Sequence, residues 1–199
     1  MAYDDRVDGL RERTRRAMRA EISNTAMDLF LERGFDATTM DEVAAAAGIS
    51  RRSLFRYFAT KEDIVLGNLA ELGRTSQAAL EARPLSEPPW DALRAAFHAL
   101  IEDPEYSLER SIDVSKMLLE ATSLRARYVE KHLQWMELLV PNITRRLGAE
   151  PGEVPDPRAQ AIVASALACL DAATQAWVRH GGKADIEEIY DEAVAAVRG

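Results

Sequence analysis

Cysteine occurs once in the 199 residues, as Cys169, so no disulfide can close within the chain and a stapled secreted scaffold is excluded. Glycine (10) and proline (8) are too sparse for a collagen-like or low-complexity protein, and no proline precedes Pro84. No apolar run approaches the roughly 18 residues that cross a bilayer. The opening residues carry Asp4, Asp5 and Asp8 without an apolar stretch, which does not read as a signal peptide. Neither strand-like alternation nor an internal repeat is visible. His98, His132 and His180 stand apart, without metal-ligand spacing, and there is no glycine-rich phosphate loop, cysteine cluster or serine elbow. The expectation is a cytoplasmic protein that is no enzyme and carries no cofactor or metal.

Hydrophobic residues at 47% and charged residues at 29% are the balance of a folded chain. The net charge of −8 argues against nucleic acid until it is resolved by position. Residues 1–61 hold 11 Lys and Arg against 10 Asp and Glu, so the acid excess lies beyond them. Arg11, Arg13, Arg15, Arg16 and Arg19 form one basic cluster; Arg51, Arg52, Arg56 and Lys61 form another. A local cationic face on an acidic body can bind phosphate, because screening confines the interaction to about 8–10 Å. Each cluster could equally be a solvated helix face.

Apolar residues recur at helical spacing throughout, predicting an all-α fold of about nine helices. The first runs from about Arg13 to Arg33, and Thr39 with Glu42 forms a capping box at the head of a short second. Ser50 caps a short third ending near Tyr57, and the fourth covers about 61–82. "RPLSEPPW" marks a boundary. Beyond it, helices are expected from Trp90 to Asp103, from about Tyr106 to Ala121, and from Leu124 to Gly148, the last kinked or split by Pro141. Asp156 and Pro157 open the eighth, and Asp185 with Glu188 opens the last.

Residues 39–58, "TMDEVAAAAGISRRSLFRYF", set two undersized helices about a Gly48-Ile49-Ser50 turn. This is helix-turn-helix logic, with Ile22, Ala26, Leu29, Val43, Leu54 and Phe58 as the miniature core. The second of the pair carries Ser50, Arg51, Arg52, Ser53, Phe55, Arg56 and Tyr57. Arginine near a helix start can bond guanine in pairs, while Ser50, Tyr57 and Lys61 can bond phosphates.

The stretch "LFLERGFDATTMDEVAAAAGISRRSLFRYFATKEDIV" closely resembles the TetR family pattern "LFxExGFxxTT" followed by "xxIAxxAGVSxxTxYxHFxxKExL". The likeness covers about residues 13–70, departing at Phe55 for the usual tyrosine and Tyr57 for the usual histidine. It implies that Thr39 caps the second helix and touches phosphate, that Arg51, Arg52 and Ser53 face bases, and that Tyr57 and Lys61 hold phosphates. The implied organisation is a three-helix DNA-binding domain at 13–60, a connecting helix at 61–82 and a C-terminal effector-binding and dimerisation domain at 85–199. "SRRSLFRYFATKED" and "WVRHGGKADIEEIYDEAVAAV" are similar to the mycofactocin-type regulator branch, which implies a small hydrophobic or acyl-CoA-like effector.

In the C-terminal part, Trp90, Phe97, Met117, Leu118, Trp135, Met136 and Trp177 line an apolar cavity or fill a plain core. Arg110, Lys116, Arg125, Arg127 and Lys131 are candidates for an acidic head group, or solvated charges. Ile162, Ala166, Leu170, Ala173, Ile189 and Ala193 lie on two late helices that either make a four-helix homodimer interface or pack within one subunit. Small residues Ala161, Ala164, Ala168, Ala172 and Ala173 permit close helix approach there. Residues before Arg13 either touch a minor groove or trail as a tail. The expectation is a homodimeric, ligand-released repressor of a palindromic DNA operator, with no membrane partner. The alternative is a helical protein-interaction or small-molecule-binding module without DNA readout.

Overall fold

A computed structural model describes residues 2–101 and 108–199, and for residues 2–12, 68, 108–110, 126–129 and 131 the backbone only. The described residues are helical, without a strand, as the periodicity predicts. In order they form α1 (Ala2–Arg33), α2 (Met40–Ala46), α3 (Arg51–Phe55), α4 (Lys61–Glu81), α5 (Pro89–His98), α6 (Leu108–Glu120), α7 (Thr122–Arg146), α8 (Pro157–Arg179) and α9 (Ile186–Arg198). The chain divides into two compact units, 1–68 and 69–199. The division falls inside α4, so the expected connecting helix is shared between the units.

Several helices differ from expectation. The first helix starts at Ala2, not near Arg13, because nothing in residues 2–12 breaks a helix; Gly9 costs only about 1 kcal/mol. The backbone of the expected N-terminal arm therefore belongs to α1, and its side chains lie outside the described residues. The fifth helix stops at His98, and tighter turns follow, with Leu100 and Ile101 donating to Phe97 and His98 carbonyls. The seventh passes through Pro141 unsplit. Its flanks explain that: Leu139, Val140, Asn142, Ile143 and Thr144 are all buried, so packing holds the helix where the ring removes one bond.

The first unit closes on the expected miniature core. Ile22, Ala26, Leu29, Val43, Leu54 and Phe58 are buried, joined by Met27, Phe30, Phe35, Ile64 and Val65. Phe35 returns onto Phe30 edge to face at 5.1 Å.

The second unit is built on α7, α8 and α9, with α5 and α6 against α8. Trp135 of α7 donates its indole N–H to the Leu69 carbonyl at 3.0 Å. Gly73 makes room for that ring, since a Cβ there would stand 2.6 Å from the indole nitrogen. Further along, Arg146 donates to the carbonyls of Leu80, Arg83, Pro84 and Glu87, tying down the end of α4 and the Pro-rich loop.

Candidate nucleic-acid interface

Two short helices present the site, and side chains at their starts fix them. The Thr39 side chain accepts from the Glu42 N–H while the Thr39 N–H donates to Glu42 Oε2 at 2.8 Å, the complete capping box. Those Thr39 bonds, with Arg33 and Lys61 nearby, hold the Glu42 carboxyl below its ordinary range. Thr39 itself stays exposed. Gly48 turns the chain at φ +67°, a conformation that L side chains rarely adopt. Ser50 then caps α3, its oxygen accepting from the Ser53 N–H at 3.1 Å.

The third helix has five residues and ends at Phe55, two before the expected Tyr57. Only Leu54 among the five is buried, and Phe58 just beyond it is buried too. Everything else faces outward or sideways: Arg51, Arg52, Phe55 and Arg56 are exposed, Ser53 and Tyr57 half-buried. The arginines are not equivalent. Arg51 is tied to Asp41 of α2, Nε to Oδ1 at 3.1 Å and Nη1 to Oδ2 at 3.3 Å, with its guanidinium 5.5 Å from the Phe55 ring centre. Arg52 and Arg56 have no partner among the described residues. Unspent guanidinium forks on a protruding helix are what paired hydrogen bonding to guanine requires.

Lys61 is more engaged than the sequence suggests. Its ammonium donates to the Phe35 carbonyl at 2.6 Å and the Asp36 carbonyl at 3.4 Å, and lies 4.7 Å from the Phe35 ring centre. One of its three donors is left for a phosphate.

Of the C-terminal candidates, Phe97 and Trp135 belong to the main core cluster, with Trp90 and Met136 packed against it. Phe97, Met117, Trp135 and Trp177 are buried, and Trp90, Leu118 and Met136 half-buried. Phe97 lies 6.3 Å from Trp135 and 6.0 Å from Tyr190 between ring centres, an aromatic core cluster. A surface groove of about 440 Å³ between α5 and α9 takes Trp90 alone of the seven, with Arg94, Tyr190, Asp191 and Arg198. Lys116 pairs with Asp113 and Arg125 is exposed, whereas the side chains of Arg110, Arg127 and Lys131 lie outside the described residues. Two buried hydroxyls that sequence patterns did not flag, Ser76 and Tyr190, lack a hydrogen-bond partner among the described residues. Burial pushes the Tyr190 hydroxyl well above its usual range. Two of the three histidines face carboxylates: His98 Nδ1 stands 2.6 Å from Glu187, and His132 Nε2 stands 2.8 Å from Asp171.

The expected interface residues lie on α8 and α9. Ala166 and Ala173 are fully buried inside their own protomer, and Ile162, Leu170, Ile189 and Ala193 are half-buried against that same core. Facing outward on α8 instead are Ala161, Ala164, Ala168 and Ala172. Only a third of the most apolar 18-residue stretch of α8 is buried, although by length and composition this helix could cross a membrane.

The family profile of bacterial regulatory proteins of the tetR family matches residues 22–67, and that of the MftR C-terminal domain matches 87–199. The chain is 30% identical over 179 residues to MftR of Mycobacterium tuberculosis, named for transcriptional regulation of mycofactocin biosynthesis, covering 90% of this chain and 87% of that one. It is 32% identical over 148 residues to the transcriptional regulator TcmR of Streptomyces glaucescens, covering 71% of this chain and 66% of that one, just under two thirds of its length. Among solved structures, Thermus thermophilus FadR in complex with lauroyl-CoA superposes with a TM-score of 0.58 at 24% identity, covering 89% and 91% of the two chains. Bacillus subtilis FadR in complex with stearoyl-CoA gives 0.59 at 18%, covering 88% and 95%. By its capped helix-turn-helix and by both matches along its length, the chain belongs to the TetR family of transcriptional regulators.

Proposed function

We propose that this regulator is a homodimeric cytoplasmic repressor that reads a palindromic operator through α3 and is released by a hydrophobic, acyl-CoA-like effector. The observation that carries the reading is the stance of α3. Leu54 anchors it and Ser50 caps it, while Arg52 and Arg56 stand outward with their donors unspent. Two such helices about a two-fold axis would enter major grooves about 34 Å apart. The exposed alanine face of α8 supports pairing with a second copy, because small side chains let helices approach closely. The effector class is supported by the likeness in fold to FadR structures that hold lauroyl-CoA and stearoyl-CoA. Effector must prefer the released form; shifting 99:1 to 1:99 takes about 5.5 kcal/mol of preference.

Fluorescence anisotropy tests this on a palindromic duplex selected by the protein from a random pool. Binding should weaken steeply with salt and reverse on adding lauroyl-CoA. Arg52→Ala should cost about 1–3 kcal/mol and relax base preference at one position of each half-site. Equal binding to selected and scrambled duplexes would sink the reading in favour of a module without DNA readout.

A further inference from the structure

Arg19 belongs by sequence to the basic cluster of α1, yet its surroundings differ from those of its neighbours. Arg13, Arg15 and Arg16 are exposed, whereas Arg19 is half-buried. Its Nη1 donates to the Tyr57 carbonyl at 2.8 Å, and its guanidinium lies 4.2 Å from the centre of the Phe58 ring. Close by is Gly67 of α4, where a Cβ would stand 3.4 Å from Nη2 and 3.7 Å from the Phe58 ring. From α1, one planar cation thus reaches the turn after α3 and lies beside α4.

Within its five residues the third helix has little to hold its C-terminal end, and the buried Phe58 just beyond is the ring that Arg19 meets. Its five residues bury one side chain, Leu54, and Ser50 secures only the start. After Phe55 the chain turns through Arg56 and Tyr57, whose N–H groups bond back to Ser53 and Leu54. The Tyr57 carbonyl is taken by Arg19. A guanidinium suits the position, since one edge donates while the flat face stacks on an aromatic ring.

We infer that Arg19 is a positioning residue for DNA reading: it fixes the exit of α3, and through it the aim of Arg52, Arg56 and Tyr57, without itself touching phosphate. The inference rests on α3 being the reading helix. It separates Arg19 from the phosphate-binding role that its cluster suggests.

The test compares wild type, Arg19→Met and Arg19→Lys on the selected palindromic duplex and a single-mismatch version, across a salt series, with circular dichroism and thermal unfolding as folding controls. Arg19→Met keeps the aliphatic stem and removes donor and charge. It should weaken matched binding by about tenfold, part of one paired base contact, and the mismatched duplex far less. The salt slope should stay at the wild-type value, because no phosphate contact is lost. Arg19→Lys, which keeps a cation for the Tyr57 carbonyl and the ring, should recover most of the discrimination. A slope shallower by about one would make Arg19 a phosphate contact and overturn the inference. Equal weakening on both duplexes, or none, would reduce it to a folding residue and overturn it as well. Failure of wild type to discriminate would instead strike the reading of α3 itself, and the inference would fall with it.

Discussion

Charge alone does not say what an individual cation of the first unit does. Arg51 and Arg52 are consecutive and both exposed, but Asp41 holds the first and nothing described holds the second. An exposed ion pair contributes little to stability, about 0–1 kcal/mol. Its effect here is to restrict where the Arg51 fork points. Lys61 makes the contrast sharper, since two of its donors serve main-chain carbonyls. Lys61→Ala should therefore lower stability by about 1–2 kcal/mol in urea unfolding. It should also make the salt dependence of DNA binding shallower by about one, from the donor that remains. A stability loss with an unaltered slope would mean that Lys61 serves the fold only.

At the scale of elements, the short helices owe their form to caps and the long ones to packing. The α2 box ties the fold to the ionisation of Glu42. Its carboxyl is held below the ordinary range in the folded chain, so the unfolded chain binds its proton more readily. That contribution is fully present above the ordinary carboxylate pKa of about 4.3 and is lost as pH falls through the lower folded value. Acid unfolding monitored by circular dichroism should accordingly begin at a higher pH in wild type than in Glu42→Gln, relative to each protein's neutral stability. The exposed alanine face of α8 makes its own prediction. Ala168→Arg, at an exposed position, should yield monomers by analytical ultracentrifugation with helical content unchanged. A persistent dimer would place the pairing surface elsewhere.

Over the whole molecule, sequence periodicity and caps located most helices to within a few residues, because the chain punctuates itself clearly. Thr39, Ser50, Asp156 and Asp185 each cap the helix they precede. Pro141 does not split its helix, because the burial of its neighbours outweighs a local penalty. The six core residues of the first unit were legible because two short helices leave few ways to cover them. The second unit was less so. Small side chains on α8 face both inward and outward, and composition does not separate Ala166 and Ala173 from Ala164 and Ala168. Nor could spacing reveal that Trp135 spends its N–H on Leu69, or that Arg19 bridges to a residue 38 positions away. Such long-range pairs depend on tertiary approach. Gly73 shows the same limit, since it resembles a flexible point in α4 and is in fact the floor beneath an indole. Gly73→Ala should destabilise the protein by about 1–3 kcal/mol, measured by thermal melting, as the ring is displaced.

The tryptophan seated on Leu69 and Gly73 also bears on how this regulator should be trimmed. Leu69 and Leu80, both shielded in the intact chain, belong to the second unit although they ride on the helix that begins in the first. Cutting at the obvious prolines would leave both leucines bare and favour clumping. A DNA-reading fragment for spectroscopy is better ended near Asn68, ahead of that sticky seam.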